Sequence, residues 1–312
     1  MTKRFLTVVL ALVFMIPAVP AFSETKVVFV DEERGIFEQD IALKDRCISY
    51  YAPSPFELNV VADSIFAGVS FGGFLAANLV RALGTFPEYT AGTVYDRSLV
   101  PAIDSWAMNP YNGVLDKIAT ATSIFDAATP VIAYGFEFLF KNLPKKDGIS
   151  LAVMYLETLF AANAVKETIK INALRVRPYM YFDAYDESSI RFHDFEFSLP
   201  SGHTMNAFAG ATFLSYTFCQ YYPYSNWRIP VIAVSYGIAV GTGIMRIASG
   251  NHFFTDVLAG AGIGSAFGFL VPFAHTFIAK LNRNLEEQSK LNGTPRVELA
   301  ALPMGLNMTV HF

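Results

Sequence analysis

The tetrapeptide Pro200-Ser201-Gly202-His203 places a histidine where a long polar loop ends and an apolar segment begins. Ser201 is a favourable helix-capping residue, and Gly202 allows the backbone to approach a ligand closely. The unpaired amide groups and the positive dipole end of the following helix attract anions. The tetrapeptide therefore indicates an anion site with His203 beside it, although the same residues also begin ordinary helices.

A second polar cluster, KINALRVRP, ends another apolar segment. Lys170 and Arg177 are seven positions apart. Because this spacing is close to two helical turns, both side chains lie on one helix face, about 10 Å apart along the axis. Two cations at a helix end either anchor the helix at a membrane interface or clamp an anion. Taken alone, the pair favours the anchors.

A third cluster, RIASGNHFFTDVLAG, joins two apolar segments through Arg246, His252 and Asp256. Asp256 follows His252 by four positions and so lies on the same helix face. A carboxylate there can accept the proton of one imidazole nitrogen, which leaves the other nitrogen basic and available as a nucleophile. The alternative is a His–Asp pair that only caps a helix.

Together the three clusters contain complementary groups. They supply three cationic side chains, backbone donors, an oriented imidazole that can attack, and a second imidazole that can protonate a leaving group. Phosphoryl transfer depends mainly on charge neutralisation and positioning. The combination therefore predicts phosphoryl transfer without a metal ion.

These motifs resemble those of the type 2 phosphatidic acid phosphatase superfamily, which includes lipid phosphate phosphatases, bacterial class A acid phosphatases and vanadium haloperoxidases. The family signature is Lys-x6-Arg-Pro, Pro-Ser-Gly-His and Ser-Arg-x5-His-x3-Asp, and it matches within residues 170–256. Met245 stands where the family usually has serine, so a hydroxyl near the phosphate site is missing. No charged or nucleophilic member of the signature is lost.

The resemblance implies a role for each motif residue. His252 is the nucleophile that forms a phosphohistidine, Asp256 orients it, and His203 protonates the leaving oxygen. The remaining motif residues bind the phosphate; they are Lys170, Arg177, Ser201, Gly202 and Arg246. The resemblance implies no metal and no cofactor. His193, His275 and His311 have no motif partner and are interpreted as structural or solvated.

The composition places these motifs in an apolar chain. Of the 312 residues, 53% are hydrophobic and 16% are charged, whereas ordinary soluble domains carry about 25% charged residues. The net charge of −4 gives no indication of nucleic-acid binding. Cys47 and Cys219 are too few for a disulfide framework, and no Cys/His cluster suggests a bound metal.

Six apolar segments of helical length indicate an all-α fold, a bundle of about five or six membrane-type helices. They span approximately residues 63–83, 126–143, 149–169, 203–221, 229–246 and 252–279. The first three carry charges, including Arg81, Glu157 and Lys166, so they also fit buried helices of a soluble bundle. Charges inside a membrane are costly and usually face an interior site.

The termini lie outside this predicted helical domain, residues 63–284. Residues 1–23 combine a positive start, an apolar stretch and a small-x-small site, which predicts a signal peptide; a retained anchor is the alternative. Residues 24–62 form an N-terminal extension. In the tail, residues 285–312, alternating apolar residues on both sides of "PMG" predict a β-hairpin.

The positions of the clusters predict that they share one membrane face. The cations expected at the other face are Lys145, Lys146, Arg228, Lys280 and Arg283. Because positive loops tend to be cytoplasmic, the clusters are predicted to face the periplasm. A cleaved signal together with a crossing by residues 63–83 would instead place them inside. The outward orientation therefore requires that 63–83 does not cross, or that the start is counted differently.

The main functional hypothesis is an integral membrane phosphatase that acts on a lipid phosphate or diphosphate. A soluble periplasmic acid phosphatase with the same chemistry is the principal alternative, favoured by the charged early segments. A third alternative is a vanadium haloperoxidase, because the resembling haloperoxidases bind vanadate with the same residues. The non-enzymatic alternative is a transporter-like bundle whose cations bind anions, which the intact His252–Asp256 pair disfavours.

Overall fold

A computed structural model describes most of the chain after the predicted signal peptide. The described residues are 28–31, 35–38, 54–86, 88–90, 93, 95–140, 143–182, 190, 194–292, 296–302 and 305–311. The predicted signal peptide, residues 1–23, lies outside them. Residues 183–189 and 191–193, which include His193 and belong to the acidic segment 179–199 before Pro200, also lie outside them.

Among the described residues, seven helices form the body of the protein, and six of them are long. They are α1 (Val60–Leu83), α2 (Ala102–Ser105), α3 (Gly113–Leu139), α4 (Lys145–Ala173), α5 (Gly202–Tyr221), α6 (Arg228–Ala248) and α7 (Phe254–Asn292). Short 3₁₀ turns occur at Arg97–Leu99 and Pro178–Tyr181. The predicted all-α bundle is therefore confirmed, with one long helix for each apolar segment.

Two helices extend well beyond the apolar segments that predicted them. Helix α3 begins at Gly113 because the Asn112 side chain accepts hydrogen bonds from the amides of Val114 and Leu115. Its first half contains threonines and charged residues, so hydrophobicity alone did not reveal it. Helix α7 continues to Asn292 through polar residues of good helix propensity, and the predicted boundary at 284 falls inside it.

The described residues also contain two antiparallel hairpins, one before and one after the helices in the chain. Strands β1 (Val28–Asp31) and β2 (Gly35–Glu38) form the first, and β3 (Arg296–Leu302) and β4 (Gly305–His311) form the second. In the second hairpin Val297 pairs with Val310, and Leu299 pairs with Met308. The predicted C-terminal hairpin is confirmed, with the register that the alternation indicated.

Helix α5 is the centre of the bundle and packs against α3, α6 and α7. Most of its side chains are buried, and many are small. Helix α7 approaches it closely: a Cβ added at Gly264 would lie 2.2 Å from the Met205 carbonyl oxygen, and one at Gly260 would lie 2.4 Å from that of Ser201. Small residues allow helix backbones in apolar bundles to come into contact. This contact fixes the start of α7 against the start of α5.

The outer surface of the bundle is apolar. Large apolar side chains on α1 and α3 are at least half exposed, among them Val61, Val69, Leu79, Val131 and Phe136. Four described helices, α1, α4, α6 and α7, are long and apolar enough to cross a membrane. Helix α5, which corresponds to the predicted apolar segment 203–221, is not among them, because its central place in the bundle uses alanine, glycine and threonine.

The three motif clusters lie at the same end of the bundle, as predicted. Ion pairs join Arg81 at the end of α1 to Asp194, and Arg246 at the end of α6 to Asp116 at the start of α3. The Ser201 amide before α5 donates to the Asp256 carbonyl at the start of α7. Helices α1, α4 and α6 therefore end where α3, α5 and α7 begin.

The close contact between α5 and α7 leads to a stability prediction. We expect Gly264→Ala to lower the free energy of unfolding by about 1–3 kcal/mol, because the new methyl group collides with backbone that cannot move aside. Gly262→Ala is the matched control, since a Cβ there meets nothing within 4 Å. Thermal unfolding in detergent measures both variants. Equal melting temperatures would contradict this account of the helix contact.

Candidate active site

His252 lies at the centre of the polar end of the bundle, between α6 and α7. Its side chain is 1% exposed. Nδ1 lies 2.7 Å from the carbonyl oxygen of Ser198. Because a carbonyl only accepts hydrogen bonds, Nδ1 carries the proton and Nε2 keeps its lone pair. Nε2 lies 3.3 Å from Nη1 of Arg177. The geometry therefore presents a nucleophilic nitrogen to a cationic neighbour.

The surroundings of His252 keep its ring neutral. Burial lowers the pKa of His252 well below its ordinary value, and the positive charges of Arg177, Arg246 and Lys170 lower it further. These cations come from the end of α4, the end of α6 and the loop after α4. A neutral imidazole surrounded by cations is suited to attack an electrophilic phosphorus atom held by those cations.

The position of Asp256 differs from the sequence expectation. Its Oδ2 lies 3.7 Å from Nδ1 of His252, beyond hydrogen-bond distance. Oδ2 instead accepts from the Ser198 hydroxyl at 2.5 Å and from the Phe253 amide at 2.9 Å. The carboxylate caps the start of α7 because that amide has no partner inside the helix. Asp256 thus contacts Ser198, whose carbonyl holds His252, and not the imidazole itself.

Arg175 holds the other oxygen of Asp256. Its Nη1 donates to Asp256 Oδ1 at 2.5 Å, and its Nη2 donates to Asp104 Oδ2 at 2.6 Å. Asp104, in α2, also accepts from the amide of Thr255 at 2.9 Å. Both carboxylates are almost completely buried. Arg175 therefore fixes the loop after α4 against the start of α7, next to His252.

Arg177 and Arg246 each use part of the guanidinium group for a carboxylate and leave another part toward the site. Arg177 donates from Nε and Nη2 to Asp194, while its Nη1 faces His252 and Asn251. Arg246 donates from Nη1 to Asp116, and its buried Nε has no acceptor among the described residues. Each arginine is thus fixed by an acid. Arg246 keeps an Nε–H group without an acceptor among the described residues, whereas the Arg177 Nη1 group is bonded to Asn251 and lies beside His252.

Lys170 completes the cationic group from the last turn of α4, and its side chain is 7% exposed. Asp194 balances part of this charge. Burial alone would raise the pKa of Asp194, but Arg177, Lys170 and Arg81 outweigh it and lower this pKa to about 2. Asp194 comes from the acidic segment 179–199, which a sequence reading alone favours as solvated. In the structure this carboxylate instead positions Arg177.

His203 lies at the start of α5, and its ring is partly accessible. Its Nε2 is 3.2 Å from the hydroxyl oxygen of Thr120, whose own proton is donated to the Asp116 carbonyl. Nε2 therefore donates to Thr120 and carries a proton. The Ser123 hydroxyl donates to the His203 carbonyl at 2.8 Å. Helix α3 thus fixes the second histidine as well as Arg246.

Ser201 and Gly202 occupy the predicted turn before α5. The Ser201 hydroxyl accepts from the Thr204 amide, and its own amide donates to the Asp256 carbonyl. Both groups are used inside the protein, so a direct contact of Ser201 with phosphate stays a prediction. A Cβ at Gly202 would lie 3.2 Å from Cδ of Lys166. Glycine leaves this approach to the helix start open.

The eight predicted site residues lie together at this polar end of the bundle. Seven of them are linked by hydrogen bonds or by interactions between charges, and Gly202 is next to them in the chain. Sequence reasoning missed the residues that position them. These are Arg175, Asp104, Asp116, Asp194, Ser198 and Thr120. Only Arg175 carried a local signal, since it lies two positions before Arg177 in the motif.

Comparison with known proteins agrees with the geometry. The family model of the PAP2 superfamily matches residues 151–279, which include every predicted site residue. Phosphatidylglycerophosphatase B of Bacillus subtilis is 32% identical over 194 residues, which cover 62% of this chain and 87% of that protein. Lipid A 1-phosphatase of Porphyromonas gingivalis is 41% identical over 73 residues, 23% of this chain and 15% of that protein.

A solved structure is also similar to this chain. It is the crystal structure of the transmembrane PAP2-type phosphatidylglycerolphosphate phosphatase from Bacillus subtilis, with 26% identity, a TM-score of 0.43, and coverage of 69% of this chain and 98% of that one. The identity and coverage of the curated Bacillus subtilis relative, together with the family match, decide the assignment. The chain belongs to the PAP2 superfamily and is a phosphoric monoester hydrolase.

Proposed function

We propose that this protein is an integral membrane phosphatase that hydrolyses a lipid phosphate or diphosphate through a phosphohistidine on His252. The observation that carries the proposal is the fixed tautomer of His252, whose Nδ1 donates to the Ser198 carbonyl while Nε2 faces Arg177. Nothing in this arrangement of residues calls for a metal ion, because the cations that neutralise phosphate are side chains.

The arginine N–H groups that no carboxylate occupies are the donors for the substrate phosphate. The Arg177 Nη1 group, which is bonded to Asn251 here, would donate to phosphate oxygens instead. Arg177 Nη1 and Arg246 Nε are the groups not bound to Asp194 or Asp116. With the Lys170 ammonium group they neutralise the non-bridging oxygens and hold the phosphorus atom opposite His252. The carboxylates keep the guanidinium planes fixed, so little reorganisation is needed as charge develops in the transition state.

The reaction then follows in two displacements. In the first, the Nε2 lone pair of His252 attacks phosphorus and the ester P–O bond breaks. His203, which the negative charge of the bound phosphate would hold in its imidazolium form beside the cations, gives its second proton to the leaving alcohol oxygen. In the second, His203 takes a proton from water, the water oxygen attacks phosphorus, and the P–N bond breaks. His252 regains its lone pair and inorganic phosphate leaves. Asp256 supports both steps through Ser198, whose carbonyl accepts a hydrogen bond from the Nδ1–H group of His252.

The apolar surface and the relatives support a lipid substrate. Exposed apolar side chains cover α1 and α3, and such a belt fits the hydrocarbon of a bilayer. The curated relatives are named as phosphatases of phosphatidylglycerophosphate and of lipid A. A phosphate group on a membrane lipid would reach the polar end of the bundle while its acyl chains stay in the bilayer.

The first functional prediction concerns substrate and metal dependence. We expect the purified protein in detergent to release phosphate from a panel of phosphatidylglycerophosphate, phosphatidate, an isoprenyl diphosphate and a lipid A preparation, faster than from an aryl phosphate. Phosphate release should continue in EDTA, because the groups that bind the phosphate are side chains and not a metal ion. His252→Ala should lower the rate by at least about 10³-fold, because the nucleophile is gone.

His311→Ala is the matched control, since it removes a histidine outside the motif and should retain native activity. Release from the aryl phosphate alone would contradict the lipid proposal and favour a soluble-type acid phosphatase. Loss of activity in EDTA that zinc or magnesium restores would contradict the metal-independent chemistry. Halide oxidation with vanadate, in the absence of phosphatase activity, would indicate a haloperoxidase.

We also propose that the active site faces the periplasm. The cations Lys145, Lys146 and Arg228 lie at the starts of α4 and α6, the end of the bundle opposite His252. Positive residues are enriched on the cytoplasmic side. Helix α1 is long enough to span the membrane and ends near the site. If the site faces the periplasm, α1 therefore begins on the cytoplasmic side. This orientation requires that the N-terminal apolar segment leaves residues 24–59 in the cytoplasm.

Single-cysteine labelling in spheroplasts tests this orientation. In a chain whose native cysteines are replaced by serine, Ser98→Cys lies near the site end and Asn226→Cys lies in the loop between α5 and α6. Both positions are exposed. We expect a membrane-impermeant maleimide to label Ser98→Cys in intact spheroplasts and Asn226→Cys only after permeabilisation. The reverse pattern would place the site inside and support a translocated N-terminus.

A further inference from the structure

A cluster of two acids and a histidine lies inside the bundle, away from the phosphate site. Asp63 belongs to the first turn of α1, Glu157 to the middle of α4 and His275 to α7. Their potential ligand atoms all lie within 4.8 Å of one another. His275 Nε2 is 3.2 Å from Glu157 Oε2 and 3.9 Å from Asp63 Oδ1. We call these three residues the acid–histidine cluster.

The cluster is at the opposite end of the bundle from His252. Asp63 precedes Arg81 by 18 positions in the same helix, which corresponds to about 27 Å of helix. Arg81 contacts Asp194 beside the active site. The cluster therefore has no direct part in phosphoryl transfer. Because His275 is bonded inside the bundle, the structural part of its sequence interpretation is the one that fits, and the solvated part does not.

A hydrogen bond of Nδ1 decides which ring nitrogen of His275 carries the proton. Nδ1 lies 2.9 Å from the backbone carbonyl oxygen of Glu57 and donates to it. In the neutral ring, Nε2 therefore presents a lone pair to Asp63 and Glu157. A lone pair opposite two carboxylates is repulsive, so this position requires a cation or a second proton. A ring nitrogen fixed by a backbone carbonyl is also the usual outer arrangement of a metal-bound histidine.

The carboxylates retain unused oxygen atoms. Glu157 is 1% exposed, and its Oε1 has no hydrogen-bond partner among the described residues; the same is true of Asp63 Oδ2. In the part of the chain that the structure describes, the ion pairs of both acids go to His275 alone. A protonated His275 would balance one carboxylate and leave the other buried and uncompensated, which is costly.

We propose that the acid–histidine cluster binds one divalent transition-metal ion of the zinc type. A divalent ion balances both carboxylates while His275 stays neutral, and one imidazole with two carboxylates is a donor set that zinc accepts. In a tetrahedral zinc site with bonds of about 2.0–2.1 Å, ligand atoms lie about 3.3 Å apart. The 3.2 Å separation of His275 from Glu157 already matches this value, and the 3.9 Å separation from Asp63 is longer. The Asp63 and Glu157 oxygens lie within 4.8 Å of each other, so binding would draw Asp63 toward the other two ligands.

The role of this ion is to tie three helices together. Each ligand comes from a different helix, and α1 otherwise packs mainly on α4. A bound ion would therefore connect α1 directly to α7 at the end of the bundle opposite His252, where no active-site residue holds α1. This role is separate from catalysis, so removal of the ion should loosen the bundle without removing any group that contacts phosphate.

Metal content and thermal unfolding of the full chain test the proposal. In protein purified without a metal-affinity tag, elemental analysis should find about one zinc ion per chain, and the metal should fall to background in Glu157→Gln and Asp63→Asn. Asp126→Asn is the matched control, because Asp126 is another fully buried acid of the bundle whose oxygens have no partner among the described residues. It should retain the metal.

A second measurement uses only the native chain, in case the variants fold poorly. Chelation should lower the melting temperature, and zinc should restore it. Cobalt added to the chelated protein should give the visible absorption bands of a tetrahedral N/O site. Native protein without zinc or cobalt binding, or an equal zinc-induced shift in native and Glu157→Gln protein, would overturn the proposal. These readouts do not measure phosphate release, so they are independent of the proposed enzymatic function.

Discussion

Concentration of positive charge beside a buried, neutral imidazole is the constraint on which the rest of this structure depends. Lys170, Arg177 and Arg246 are each at most 7% exposed, and such charges are costly to bury without partners. The structure meets this cost with Asp194 and Asp116, which occupy one edge of each guanidinium group. The same pairing leaves Arg177 Nη1 beside His252 and leaves Arg246 Nε without an acceptor among the described residues.

The helix bundle serves this charge arrangement by bringing six helix ends together. The glycines of α7 allow its backbone to contact α5, so that the Ser201 amide reaches the Asp256 carbonyl. Helix α3 contributes Thr120 and Asp116, which hold His203 and Arg246. Arg175 links the loop after α4 to α7. Long-range contacts of this kind explain why the catalytic geometry needs the entire bundle and not the motifs alone.

Much of the candidate site was predictable because the motif residues lie within short, specific spacings of the sequence. The helices around them were predictable where their sequence is continuously apolar, as in α6. The first half of α3 was not, because a capping asparagine and buried polar side chains, not hydrophobicity, define it. The direct His252–Asp256 bond was expected from four-residue spacing, yet the amide of Phe253 and the hydroxyl of Ser198 compete for the carboxylate. Spacing along one helix cannot reveal competitors that come from another part of the chain.

Identification of the residue that carries the phosphoryl group tests the central claim most directly. The protein would be mixed with a lipid phosphate labelled in its phosphoryl group, quenched within milliseconds in alkali, where phosphohistidine is stable, and digested for mass spectrometry. The account predicts a transient label on the peptide that contains His252, located on that imidazole and lost as free phosphate appears. A label on any other side chain, or turnover at the native rate with no labelled protein, would contradict it.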